Sequence, residues 1–156
     1  MSSVNKNLSE FTSALPDGSK FNVAIVYAEW NESITSVLKN GAVDILLKAG
    51  VSATNIIQRS VPGTFELPLM AQHYAQNLEV DGVICIGCVI QGETKHFDFI
   101  CHAAANGVMD VGLKFNKPVI FGVLTTNTKE QAEDRAGGKL GNKGEEAAFS
   151  LLKMLS

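Results

Sequence analysis

Nine consecutive residues, Gly82 to Ile90, carry no charged or amide side chain, and the run stops abruptly at Gln91-Gly92-Glu93-Thr94-Lys95. A half-buried strand alternates apolar and polar positions, and this run does not. It predicts a strand buried on both faces, as in a parallel sheet covered by helices. The rest of the chain supplies matching pieces. Strand patterns lie at 21–27, 55–61 and 118–124. A helix runs from Ile34 to Ala49, with Ile34, Val37, Leu38, Val43, Ile45 and Leu46 as inward positions and Gly50 at its end. Others are expected from about Phe65 to Asn77, from Phe97 to Phe115, and from Thr128 to Ala136, where Thr128-Lys-Glu-Gln131 is a capping-box pattern. A glycine-rich turn, Gly137 to Gly144, leads to a last helix that Asn142 would cap. Strands alternating with helices, without repeat or linker, specify the α/β class: a four-stranded parallel sheet in a three-layer α/β/α sandwich.

The 156 residues, 46% hydrophobic and 19% charged, suit one domain over 21–156. Met1 to Lys20 is more polar, carries Pro16-Asp17-Gly18, and is expected to be an arm that is mobile or docks on a neighbour. A net charge of −3 without a basic patch argues against nucleic acid. No apolar stretch would span a bilayer, and the N-terminus lacks signal-peptide character, so a cytoplasmic protein without a membrane partner is expected. Cys85 and Cys88 resemble a redox or zinc half-motif. Two residues three apart in a strand point to opposite faces, however, so they are expected to be buried structural thiols, as is Cys101.

Open α/β sheets place ligands at the carboxyl ends of their strands. Three sequence sites fall there. Tyr27-Ala-Glu-Trp30-Asn31 follows the first strand, and Trp30 either stacks on a planar heterocycle or plugs a gap. Thr64-Phe65-Glu66 follows the second, where Glu66 either binds a hydroxylated ring or complements the helix dipole. The third is the turn after Ile90, with backbone N–H groups, the Thr94 hydroxyl and the His96 imidazole, a set suited to an anion and to proton transfer. His73 and His102 fall within helices and are expected to be packing or surface residues. On the 97–115 helix, Phe97, Ile100, Cys101, Ala104, Val108, Val111 and Phe115 are expected to face the sheet. Phe99, Met109 and Leu113 would lie among polar residues on the opposite face, a pattern that favours a subunit contact. No Gly-x-Gly-x-x-Gly fingerprint follows any strand, no Walker loop is present, and no strand-end aspartate supports a response regulator.

Four stretches in register carry a specific resemblance. They are Val61-Pro-Gly-Thr-Phe-Glu-Leu-Pro68, Gly87 to Asp98, Phe121-Gly-Val-Leu-Thr-Thr126, and Glu130 to Gly144. From about Phe21 to the end, the chain resembles the lumazine synthase family. The resemblance implies a flavodoxin-like fold. It also implies condensation of 5-amino-6-(D-ribitylamino)uracil with 3,4-dihydroxy-2-butanone 4-phosphate to 6,7-dimethyl-8-ribityllumazine, with no redox cofactor and no required metal. By the same resemblance, Trp30, Thr64, Phe65, Glu66, Cys88, Val89, Ile90 and Phe121 would bind the ribitylaminouracil. Glu93, Thr94, Arg135 and Lys143 would bind the butanone phosphate, and His96 would transfer protons. Phe121, Arg135 and Lys143 resemble residues supplied by a neighbouring subunit. Gln91 departs from the family pattern, in which arginine or lysine is common. Pentamers are implied, and the short turn Gly137 to Asn142 resembles that of members forming sixty-subunit icosahedral shells, some of which enclose riboflavin synthase. Two competing functions are a non-catalytic flavin-like ligand carrier or cage protein, and a flavodoxin-like electron carrier.

Overall fold

The computed structural model describes residues 7–11 and 13–156. The strands are β1 (Val23–Ala28), β2 (Ile56–Val61), β3 (Gly82–Ile90) and β4 (Val119–Thr126), with a small pair β5 (Ala136–Gly138) and β6 (Gly141–Asn142). The helices are α1 (Glu32–Lys48), α2 (Leu67–Ala75), α3 (His96–Phe115), α4 (Lys129–Glu133) and α5 (Lys143–Leu155). β1 to β4 form one parallel sheet in the order β2-β1-β3-β4. The chain moves from β1 to one side for β2, and to the other for β3. The carboxyl ends of β1 and β3 therefore flank the switch point of the sheet.

Two cores sandwich the sheet, and the residues of β3 alternate between them. Ile84, Ile86 and Cys88 pack with Ile34, Leu38, Leu46, Leu151 and Leu152 from α1 and α5. Val83 and Cys85 pack on the other face with Leu67, Ala71, Val108 and Val111 from α2 and α3. Seven of the nine β3 residues are buried, which accounts for the unbroken apolar run. Cys85 and Cys88 do point to opposite faces. Burial pushes their thiols up to about 12 and about 11, so neither supplies a thiolate near neutral pH.

The structure corrects several sequence expectations. Phe65 does not open a helix. Thr64–Glu66 is a single 3-10 turn, and the α-helix starts at Leu67 because Pro68 suits its first turn. The helix capped by Thr128 ends at Glu133, well before Ala136. The turn after it is an antiparallel hairpin of β5 and β6. Its strands are mostly glycine, with positive φ at Gly137 and Gly141, so no side-chain alternation announces them. On α3, only Ala104, Val108 and Val111 are buried; Phe97, Ile100, Cys101 and Phe115 are intermediate. Among the described residues, no helix is long and apolar enough to cross a membrane.

Residues 1–6 and Thr12 of the expected arm lie outside the described residues. The rest of 7–20 is not a free arm but packs on its own chain. Leu8 N–H donates to the Leu140 carbonyl at 2.7 Å, and Phe11 stacks on Phe149 with centroids 4.4 Å apart. These apolar side chains, scattered in a polar stretch, have partners distant in sequence.

Asn142 joins the hairpin to the body of the fold. Its buried side chain caps α5 by accepting from Gly144 N–H at 2.8 Å, and it donates to the Val37 carbonyl of α1 at 3.2 Å. A Cβ on Gly144 would run into the Leu38 backbone, so glycine allows α5 to lie directly on α1. Asn142→Ala removes the α5 cap and the bond that ties it to α1, and is expected to cost about 1–2 kcal/mol. Thermal melts of mutant and wild type at one protein concentration check this; an unchanged Tm would remove Asn142 from the joint.

Candidate active site

An open cleft of about 900 Å³ lies at the switch point. Three strand ends build it. After β1, the chain turns through Glu29 and Trp30, whose N–H groups donate to the carbonyls of Val61 and Pro62 at 2.8 and 3.1 Å. The loop is thereby tied to the end of β2. After β2, the 3-10 turn places Thr64, Phe65 and Glu66 along one wall. Thr64 is buried against β3, and a Cβ at Gly87 would meet its hydroxyl at 2.7 Å, so glycine there lets the turn approach the strand. β3 supplies Cys88, Val89 and Ile90, and the turn beyond it supplies Gly92, Thr94 and His96.

Trp30 and Phe65 are 74% and 57% exposed, although each stands in a cleft wall. Aromatic faces open to solvent in a concave site are available for stacking on a planar ring, which favours stacking over gap-filling for Trp30. His96 is the first residue of α3, exposed, and its N–H donates to the Thr94 hydroxyl at 3.4 Å. That bond orders the turn without engaging the imidazole. Gln91 N–H donates to the Thr126 carbonyl at 2.8 Å, and its side-chain amide donates to the Gly92 carbonyl at 2.9 Å. The neutral amide thus braces the turn on itself.

Nine of the sequence candidates share this cleft: Trp30, Thr64, Phe65, Glu66, Cys88, Val89, Ile90, Thr94 and His96. Four do not line it. Glu93 is exposed on the turn, and Phe121 sits half-buried on edge strand β4. Arg135 follows α4, where its Nη1 donates to the Gln131 carbonyl at 2.9 Å. Lys143 opens α5 and pairs with Glu146 at 2.7 Å. Among the described residues, Arg135 has no carboxylate partner within 4.0 Å. Sequence reasoning missed six lining residues, among them Gly63 and Gly92. Asn31 reaches the site through its side-chain amide. Phe97, Phe99 and Ile100 form the α3 wall, with Phe99 placed in the cleft rather than on the outer face. Helical periodicity groups residues by face, and cannot show that the first turn of α3 overhangs the sheet. Among the described residues, no cluster of three or more His, Cys, Asp or Glu is arranged to hold a metal ion.

A parallel sheet between two helical layers, with a small-molecule-sized cleft at its switch point, defines a flavodoxin-like α/β/α protein. Comparison with known proteins is more specific. The profile described as 6,7-dimethyl-8-ribityllumazine synthase matches residues 20–156, and the chain belongs to that family. Proteins named 6,7-dimethyl-8-ribityllumazine synthase from Cytophaga hutchinsonii and Parabacteroides distasonis are 62% and 46% identical to it. Each alignment covers 100% of this chain and 98% of the relative. A protein of the same name from Porphyromonas gingivalis is 51% identical over 99% of this chain and 96% of its own.

Proposed function

We propose that the protein is the transferase that condenses 5-amino-6-(D-ribitylamino)uracil with 3,4-dihydroxy-2-butanone 4-phosphate, the penultimate step of riboflavin biosynthesis. The products are 6,7-dimethyl-8-ribityllumazine, phosphate and water. The observation that carries this is the joint placement, in one switch-point cleft, of exposed aromatic rings, Glu66, the end of β3 and the Thr94–His96 turn, in a chain matching the family over 20–156.

The uracil ring stacks on Trp30, and its polar edge meets the end of β3, where Cys88, Val89 and Ile90 line the cleft. Thr64, Phe65 and Glu66 hold the ribityl chain. The substrate amine attacks the butanone ketone, water leaves to give an imine, and phosphate is eliminated. A second loss of water closes the ring. His96 carries the protons for these steps, since an imidazole both accepts and donates near neutrality. Glu93 and Thr94 receive the phosphate. Both substrates are intrinsically reactive, so holding them together supplies much of the rate. The reaction requires no redox cofactor and no metal.

Arg135, Lys143 and Phe121 complete the cleft of an adjacent subunit, so a lone chain holds half a site. Their placement away from their own cleft supports this, as does the absence of a carboxylate against Arg135 among the described residues. Met109 and Leu113, each more than 60% exposed on α3, supply an apolar surface for that contact. The assembly is a pentamer of the 21–156 domain, built into a sixty-subunit shell in the cytoplasm, with room for riboflavin synthase inside. Light scattering is expected to give a mass near sixty chains; a mass near five chains would sink the shell.

A two-substrate assay tests the function. Lumazine absorbance and phosphate release should rise together, well above the uncatalysed reaction. If a folded, assembled sample accelerates neither, the protein is a ligand carrier or cage, which has no use for Arg135 or His96.

A further inference from the structure

We infer that Asn31 is a positioning residue for the pyrimidine site, acting as a clamp between the Trp30 loop and the end of β3. Its side-chain amide donates to the Cys88 carbonyl at 2.9 Å. Its backbone is left-handed, with φ 62° and ψ 43°, a conformation that asparagine adopts more readily than most residues. Its own carbonyl accepts the N–H groups of Ile34 and Thr35, so the same residue opens α1. The loop before it is already tied to β2 through Glu29 and Trp30. Asn31 is thus the point at which the ends of β1, β2 and β3 are joined, and it adjoins the tryptophan in sequence.

The geometry of β3 shows what the clamp does. Along a parallel strand, the N–H and C=O of one residue point to one neighbouring strand and those of the next residue to the other. Val83 and Gln91 N–H donate to Pro118 and Thr126, on the β4 side. The odd-numbered residues, Val89 included, are therefore turned to β4, and Cys88 and Ile90 toward β1. β1 ends at Ala28, short of both. Asn31 occupies the Cys88 carbonyl in place of a strand partner. Ile90 is left as the backbone group facing the opening beside Trp30. The clamp sets the gap between the Trp30 ring and the Ile90 backbone, where a planar ring must both stack and hydrogen-bond. This rests on the assignment of the cleft to ribitylaminouracil.

Trp30 is the only tryptophan, so fluorescence excited selectively at tryptophan reports this loop alone. Asn31→Gly keeps the left-handed backbone and loses the donor. Asn31→Asp keeps the shape and sets a carboxylate against the Cys88 carbonyl. In assembled protein, both are expected to lower Trp30 fluorescence anisotropy, aspartate more than glycine. Asn31→Gly should raise KM for the ribitylaminouracil about tenfold, the worth of one part-buried hydrogen bond, and leave KM for the butanone phosphate unchanged. Wild-type anisotropy and wild-type pyrimidine KM in both variants would overturn the clamp. So would a lowered Tm with both KM values unchanged, the mark of a merely structural residue. If the wild type shows no synthase activity, the proposed function fails, and anisotropy still decides the clamp.

Discussion

Arg135→Ala is expected to raise KM for 3,4-dihydroxy-2-butanone 4-phosphate by about 10- to 100-fold, the range for losing charge-assisted hydrogen bonds to an anion. KM for the ribitylaminouracil should stay within about twofold, since the proposed role of Arg135 is confined to the phosphate. Arg135 is half-buried, and one guanidinium nitrogen is committed to the Gln131 carbonyl. That bond sets the direction of the fork, and the remaining N–H groups stay available for phosphate oxygens. Nearby Lys143 and Lys139 are held by Glu146 and Asp134. Lysine at 135 keeps the charge but loses the fork, so Arg135→Lys should fall between wild type and alanine. Steady-state kinetics with each substrate varied in turn separates these outcomes. An unchanged KM for the phosphorylated substrate would remove Arg135 from the site. Co-expressing Arg135→Ala chains with His96→Ala chains tests the sharing of sites. If each cleft takes His96 from one subunit and Arg135 from the next, some mixed sites regain both groups, and activity at subsaturating butanone phosphate exceeds that of either mutant alone. No recovery in a mixed assembly would place both groups in one chain's site.

The β3 run and the helices around it were legible because burial on both faces leaves an unmistakable pattern, and the alternation of elements then leaves few ways to build a sheet. The strand-end rule points to the cleft from sequence: Trp30, Glu66 and His96 all follow strands, and all line it. What escaped notice lacks a periodic signal. The β5–β6 hairpin is built largely from glycine, so nothing alternates. Asn31 reads as an ordinary loop residue until its amide is seen on the Cys88 carbonyl, 57 positions away. Phe99 falls on the outer arc of a helical wheel, yet lines the cleft because α3 begins beyond the end of the sheet. Phe11 and Leu8 pair with residues more than 130 positions distant, a separation over which no local pattern extends.

His96→Ala is expected to lower kcat by about 100-fold, toward the lower end of what a positioned acid–base group contributes, or about 2.7 kcal/mol of barrier. It should leave both KM values near wild type. The structure motivates both parts. His96 lies at the mouth of the turn after β3, beside Thr94, where the amine and the ketone would meet if the uracil ring stacks on Trp30. Among the described residues, no hydrogen bond to the body of the fold runs through its imidazole, and the side chain is exposed, so its removal leaves the cleft walls and the Tm in place. Turnover persists because the remaining residues still hold two mutually reactive molecules together, and that contribution survives the loss of a proton carrier. His96→Gln distinguishes hydrogen bonding from proton transfer: a glutamine keeps a donor and an acceptor, but does not titrate. If proton transfer is the role, Gln should be as slow as Ala. Rescue by Gln would instead make His96 an orienting group. Complete loss of activity in a folded, assembled His96→Ala protein would show that proximity contributes little, and that chemistry at this one side chain carries the reaction.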